Sequence, residues 1–185
     1  MKRVLFTFLI FAMGFGLLPL FGADRSPINI NLIIDGSDSL TAVKADVTAW
    51  ISGRLDQLLA DGDIVTIWSA GSQTRVIYSG TMTAPADREA AKKSIRDLTG
   101  AGTAADFSGA LGQAANLQNR PAGGSGFSYT LLVCASSAAL SNLISGPQSG
   151  MMRFSRVEEF SGWKAIVVGL NIDARVKRAA AAFFR

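Results

Sequence analysis

One stretch constrains the fold of this chain more than any other, because a mostly apolar run in it ends abruptly in small oxygen-bearing residues. Residues 28–40 read ININLIIDGSDSL, in which the run Ile30–Ile34 stops at Asp35 and a long amphipathic pattern begins at Leu40. A buried strand, a polar loop and a helix account for that order. Ligands of open α/β sheets bind outside the carboxyl ends of parallel strands, so this loop is where a site is expected.

The loop has the chemistry of a site for a hard cation. Asp35, Ser37 and Ser39 are spaced at i, i+2 and i+4, and a tight turn at Gly36 can point one carboxylate and two hydroxyls at a common point. Oxygen ligands of this kind suit Mg²⁺. The alternative is that residues 35–39 are turn chemistry alone, with Ser39 as the N-cap of the next helix.

This D-x-S-x-S pattern, with a strand before it and a helix after it, resembles the metal-ion-dependent adhesion site of the von Willebrand factor A family, which integrin inserted domains share. The resemblance implies that Ser37 and Ser39 bind Mg²⁺ or Mn²⁺ directly, while Asp35 holds the ion partly through water. A carboxylate from Asp or Glu of a protein partner would complete the shell. It also implies an α/β, Rossmann-like three-layer αβα fold, with helices on both faces of a mostly parallel central sheet and one short antiparallel edge strand.

The family draws a Thr ligand from a later, glycine-rich loop. Thr103, in the segment TGAGTAAD at residues 99–106, resembles that ligand. An alignment based on residues 106–111 instead places Ala105 at the Thr position. Thr103 is the predicted ligand because the alanine side chain offers no donor atom.

The family's second Asp ligand has no counterpart in this sequence. It should follow the predicted strand Tyr129–Val133 directly, but the chain continues Cys134-Ala135-Ser136-Ser137. Ser136 is the predicted neutral replacement, and Ser137 is the alternative. A lost negative charge weakens the attraction for a divalent cation, so the resemblance predicts at most weak binding of Mg²⁺ or Mn²⁺.

The rest of the chain alternates between strand and helix patterns. Val43, Val47, Ile51 and Leu55 follow a 3.6-residue period, which predicts the first helix. The pattern predicts further strands at residues 64–68, 74–78, 129–133 and 164–170, and further helices from Thr83–Pro85 to Gly100, through residues 110–115, at 138–144, around 154–160 and after Asp173. Five strands alternating with helices favour right-handed parallel crossovers.

The amino end predicts export. Met1-Lys2-Arg3 and the apolar run Val4–Phe21 have the charged and hydrophobic regions of a secretory signal, so residues 1–23 are expected to be a signal peptide or an uncleaved membrane anchor. Residues 24–185 are expected to form one domain. Without Lys2 and Arg3, 16 basic residues face 14 acidic ones, and no basic run suggests a nucleic-acid partner.

Composition removes most catalytic schemes. The chain has no histidine, which excludes histidine triads and histidine metal sites, and its single Cys134 lies in an apolar run where a small buried thiol is expected. An enzyme is therefore not predicted. Two functions stay open: an exported domain that docks a partner's acidic side chain through a cation, and the same fold with a vestigial site that binds without metal or serves as a structural part of a cell-envelope complex.

Overall fold

A computed structural model describes residues 9–11, 26–118, 128–146, 163–169 and 172–183, and the structure places them around one six-stranded sheet. The strands, in chain order, are β1 Leu9–Phe11, β2 Asn29–Asp35, β3 Ile64–Ala70, β4 Thr74–Thr81, β5 Ser128–Cys134 and β6 Trp163–Gly169. Their order across the sheet is β1-β6-β5-β2-β3-β4. The helices are α1 Lys44–Leu58, α2 Pro85–Arg96, α3 Phe107–Gln118, α4 Ser137–Ser145 and α5 Ala174–Phe183.

The predicted interior strand, β2, is parallel to both of its neighbours. Ile33 pairs with Trp68 of β3 on one side and with Leu132 of β5 on the other. Ile33 and Ile34 are fully buried, because their side chains point to opposite faces of a sheet that is covered on both sides. Strand β6 continues the parallel set beside β5.

Helices cover the two faces of the sheet and form two cores. On one face, Val47 and Ile51 of α1 pack with Ile95 of α2. On the other, Phe107 of α3 and Leu140 of α4 lie in one cluster with residues of α5. This confirms the predicted three-layer αβα architecture.

Both edges of the sheet are antiparallel. Strand β4 runs against β3 over eight residues, so it is longer than predicted, and an irregularity leaves Ile77 as an extra residue between the paired Val76 and Tyr78. At the other edge, β1 pairs with β6. The sequence predicted one antiparallel edge strand; it missed β1 because its residues fall in the apolar segment assigned to export.

Helix starts differ from the prediction in one place. A short 3-10 helix, Asp38–Leu40, follows Ser37, and α1 begins only at Lys44. The residue before α1 is Val43, so the alternative in which Ser39 caps this helix is wrong. The helix predicted around residues 154–160 lies outside the described residues.

The predicted cap of α5 is confirmed. Asp173 accepts hydrogen bonds from the backbone N–H groups of Arg175 and Val176 at 3.0 and 2.9 Å. None of the described helices combines the length and apolar character that a membrane span requires.

Candidate functional site

The site is built around the carboxylate of Asp35, the last residue of β2. Its side chain is fully buried, and its Oδ1 accepts two hydrogen bonds from Ser37, one from the backbone N–H at 3.0 Å and one from the hydroxyl at 2.6 Å. The chain turns sharply after the strand, so a residue two positions on reaches back to the carboxylate. Asp35 and Ser37 thus form one rigid unit.

A second contact joins this unit to the neighbouring parallel strand. The backbone N–H of Ala135, which directly follows β5, donates to Oδ2 of Asp35 at 3.0 Å. The carboxyl ends of β2 and β5 are therefore held together by one buried side chain. Sequence reasoning missed this partner because a backbone N–H leaves no signature in the residue type.

The buried carboxylate has no cationic partner in the part of the chain that the structure describes. All three donors that hold it are neutral, and neither Lys nor Arg pairs with it there. Removal of a carboxylate from water is costly unless hydrogen bonds or an opposite charge compensate it. Three hydrogen bonds from neutral donors compensate the carboxylate of Asp35, and a cation at this end of the sheet would add the opposite charge that it lacks among the described residues.

Cys134 lies beside the carboxylate but contributes no reactive thiolate. Its side chain is fully buried, and burial, reinforced by the charge of Asp35, raises the pKa of its thiol far above the ordinary value of 9.0. Only the thiolate acts as a metal ligand or nucleophile. This confirms the predicted small buried thiol.

Three loops meet over the Asp35 turn through backbone hydrogen bonds. The N–H of Ala101 donates to the carbonyl of Gly36 at 2.7 Å, and the N–H of Asp38 donates to the carbonyl of Gly102 at 2.8 Å. The loop after β3 joins them, because the N–H of Ser72 donates to the carbonyl of Ala101 at 3.0 Å. The glycine-rich segment that follows α2 therefore lies against the site, as the resemblance implies.

Glycines allow this close approach. A Cβ atom at Gly100 would stand 2.5 Å from the carbonyl oxygen of Ser37, and one at Gly71 would stand 2.8 Å from that of Gly36. Both distances are shorter than real Cβ contacts, so these positions exclude side chains. The sequence showed the glycines, but it did not show that Gly71 belongs to the same junction.

Ser39 and Thr103 each follow a residue of one backbone contact at the site, in which the N–H of Asp38 donates to the carbonyl of Gly102. Ser39 is half-buried within the 3-10 helix, and Thr103 is exposed one residue after Gly102. Within the described ranges, neither hydroxyl takes part in a hydrogen bond. Both therefore remain candidate ligands that the fold itself does not use.

The alternative Thr position, Ala105, is half-buried and packs against the core on the α3 side of the sheet. Asp106 caps α3: its Oδ1 accepts from the N–H of Gly109 at 2.9 Å, and its Oδ2 accepts from the hydroxyl of Thr74 at 3.0 Å. Ala105 therefore serves packing, and Asp106 serves as a helix cap.

Ser136 and Ser137 follow β5, where the resemblance leads us to expect a second Asp. The hydroxyl oxygen of Ser136 accepts from the N–H of Ala139 at 3.1 Å and caps α4. The hydroxyl of Ser137 accepts from the N–H of Asp173 at 2.9 Å and so joins α4 to the start of α5. Each of the two hydroxyl oxygens accepts one hydrogen bond and keeps a second lone pair.

The donor set suits a hard cation. The hydroxyl proton of Ser37 is directed to Asp35, which leaves the oxygen lone pairs of Ser37 available to a cation. Across the described residues, no three His, Cys, Asp or Glu side chains group as a metal cage. Any ion at this site would therefore depend on hydroxyls, one carboxylate and water.

The fold is similar to von Willebrand factor A structures. A von Willebrand factor type A protein from Catenulispora acidiphila matches with a TM-score of 0.59 and 18% identity, over 86% of this chain and 37% of the other. Manganese-loaded TRAP from Plasmodium vivax matches with a TM-score of 0.58 and 17% identity, over 84% of this chain and 63% of the other. The pilus adhesin SpaC from Lactobacillus rhamnosus GG matches with a TM-score of 0.51 and 15% identity, over 61% of this chain and 16% of the other.

These similarities establish a von Willebrand factor A-like fold. At identities below one fifth they concern the fold alone, and this chain spans less than two thirds of the length of each of the three proteins. No family model and no curated protein matches the sequence.

Proposed function

We propose that this protein is an exported interaction domain that docks an Asp or Glu side chain of a protein partner through a divalent cation. The observation that carries the proposal is the carboxylate of Asp35, which is fully buried, held by neutral donors and adjacent to the hydroxyl of Ser37. A cation at the loop would balance this charge. The manganese-loaded neighbour and the adhesin neighbour support the same reading.

The residues that would hold Mg²⁺ or Mn²⁺ are Asp35, Ser37, Ser39, Thr103 and Ser136. The ion would supply a Lewis-acidic centre with a coordination position for the partner's carboxylate. The chain's own residues fix the geometry: the two hydrogen bonds from Ser37 hold the Asp35 turn, and the Ala135 contact holds it against β5. No catalytic role is proposed, because the sequence has no histidine to serve as a general base.

The second candidate function is a metal-free one. Ser136 has a neutral hydroxyl at the position of the family's second Asp, and this hydroxyl caps α4. A site with one carboxylate has lower affinity for divalent ions than a site with two. In this alternative the domain binds through other surfaces, or is a structural part of a cell-envelope complex.

Partner capture distinguishes the two functions. The purified chain is used as bait for envelope proteins with Mg²⁺ present and again with a chelator. The test variant is Ser39→Ala, because the Ser39 hydroxyl has no hydrogen bond within the described ranges and its loss leaves the fold intact; Ser72→Ala, in the adjacent exposed loop, is the matched control. Cation-mediated docking predicts that the chelator and Ser39→Ala each reduce capture at least about tenfold. Equal capture by the wild type with Mg²⁺, the wild type with chelator, Ser39→Ala and Ser72→Ala favours the metal-free function.

We also propose that the protein is exported, because its amino end has the charged and apolar regions of a secretory signal. We place the mature domain outside the cytoplasm, in the periplasm, the cell envelope or the extracellular space, with the membrane contacted only through an uncleaved amino-terminal segment. Mass spectrometry of the protein from its native host tests this. A mature chain that starts near Asp24, or an intact Met1 in the membrane fraction, supports export, and an intact Met1 on a protein in the cytoplasmic fraction contradicts it.

A further inference from the structure

Strand β4 gives the sheet one long open edge. Its eight residues pair with β3 on one side, and none of the described strands pairs with it on the other. The opposite edge is occupied by β1, which has only three residues and lies in the amino-terminal segment assigned above to export, so the inference concerns the β4 edge alone. An open edge presents a row of backbone N–H and C=O groups that can pair with another extended chain.

The side chains of this edge add an apolar contact and a positive charge. Val76 is 46% exposed, and it is the one large apolar side chain that is exposed in the described part of the protein. Its neighbour Arg75 is exposed and makes neither an ion pair nor a hydrogen bond with the described residues. An unpaired guanidinium on an edge strand is available to a carboxylate of a partner.

An open groove of about 460 Å³ runs between β4 and α2 beside these residues. Arg75, Ile77 and Tyr78 line it from the strand, and Lys93, Ser94 and Asp97 line it from the helix. Lys93 and Asp97 pair across one helical turn, but both are more than 60% exposed, so the pair is weak and exchangeable. Because Lys93 and Asp97 pair with each other, Arg75 is the unpaired charge among the described residues that line the groove.

The charge of the edge indicates which occupant fits. Pairing of this edge with a second copy would bring two exposed Arg75 guanidinium groups onto one shared edge, where like charges repel. A segment of opposite charge meets no such repulsion. The occupant that fits is therefore an acidic extended segment of another protein.

We propose that the β4 edge is a second docking surface, which receives an extended acidic segment of a partner protein as a further strand of the sheet. Backbone hydrogen bonds to β4 would supply much of the affinity, and the side chains would supply specificity. A β-branched residue would cover Val76, and a carboxylate would pair with Arg75. None of the five candidate cation ligands belongs to this surface, so its binding does not depend on the proposed ion.

Two labelled peptides serve as probes, measured by fluorescence anisotropy with the 185-residue chain. The first is a ten-residue peptide with Val at every second position and Thr or Glu at the positions between. The second has the same sequence with Lys in place of each Glu. The proposal predicts that the Glu peptide binds at least tenfold more tightly than the Lys peptide. Arg75→Glu should weaken binding of the Glu peptide at least tenfold. Arg178→Glu is the same charge reversal at an exposed position of α5, and it should leave the affinities for both peptides unchanged.

Further measurements locate the binding and separate it from the cation site. Amide chemical-shift changes should concentrate in β4, and a chelator should leave the affinity for the Glu peptide unchanged. Equal binding of the two peptides, equal effects of Arg75→Glu and Arg178→Glu, or shift changes away from β4 would overturn the proposal. So would a concentration-dependent dimer that Val76→Asp abolishes, because a second copy would then occupy the edge.

Discussion

The backbone N–H of Ala135 donates to the carboxylate of Asp35 over 3.0 Å, although the two residues stand 100 positions apart in the chain. This contact joins the carboxyl ends of β2 and β5, the place where an α/β sheet forms its ligand sites. The same carboxylate holds the turn that carries Ser37. One buried side chain therefore determines both the packing of the strand ends and the charge of the candidate site.

The first prediction concerns how much this carboxylate contributes to the stability of the fold. Asp35→Ala leaves three donors without an acceptor, two of them buried backbone N–H groups, and we expect the free energy of unfolding to fall by about 2–3 kcal/mol. Asp35→Asn keeps a side-chain acceptor and should lose less. Urea denaturation in the presence of chelator measures both. If Asp35→Ala proves as stable as the wild type, the carboxylate serves a ligand and not the fold.

The second prediction tests the glycine junction over the site. Gly102 has φ = 86°, and a Cβ atom there would lie 2.7 Å from the Cβ of Ser72. Gly102→Ala should therefore destabilise the protein by more than about 1 kcal/mol. Gly53→Ala is the matched control, because Gly53 lies inside α1 and a methyl group added there would meet no atom within 4 Å, so this variant should gain roughly 0.5–1 kcal/mol. Thermal melts with the same sign for both variants would contradict this account of the junction.

The third prediction is a pH dependence at the start of α5. Hydrogen bonds from the backbone of Val176, and then from the hydroxyl of Ser137, hold the pKa of Asp173 below its ordinary value of 3.8. A lowered folded-state pKa stabilises the protein above the ordinary value, and this contribution is lost as the pH falls through the lowered pKa.

Asp173→Ala should therefore melt at a lower temperature than the wild type at neutral pH, and the difference should shrink as the pH falls below 3.8. Asp173→Asn keeps a capping oxygen without a titrating charge, so it should lose less stability at neutral pH than the alanine variant. Melting curves across this pH range measure both variants. A difference between Asp173→Ala and wild type that does not change with pH would show that the charge of Asp173 does not contribute.

The sequence predicted the fold well where a local pattern determines the structure. The apolar run Ile30–Ile34 before a polar loop predicted a strand buried on both faces, and Asp173 before an amphipathic segment predicted the start of a helix. The alternation of such elements then led to the parallel sheet. These signals are local, so they can be recognised in the sequence without knowledge of the tertiary contacts.

The sequence did not predict features that depend on contacts between distant segments. The late start of α1 at Lys44 depends on how the 3-10 helix leaves the loop junction, and the extra residue Ile77 depends on the pairing of β4 with β3. Strand β1 was missed because an apolar run suits export and sheet pairing alike. At the site, the sequence showed the residue types of the loop. It did not show the Ala135 contact, because every residue except proline has a backbone N–H.

We propose that the loop at Asp35 holds a divalent cation, with Ser136 at the position where a second carboxylate would add charge. Titration calorimetry with Mg²⁺ and Mn²⁺ tests it on the wild type, Asp35→Ala and Ser136→Asp, after circular dichroism has shown that each is folded. Asp caps helices as well as Ser does, so Ser136→Asp adds charge without loss of the α4 cap. We predict millimolar affinity for the wild type, about −4 kcal/mol, no binding by Asp35→Ala and tighter binding by Ser136→Asp. Identical titrations for all three proteins would contradict the claim and leave the loop as turn chemistry in a metal-free domain.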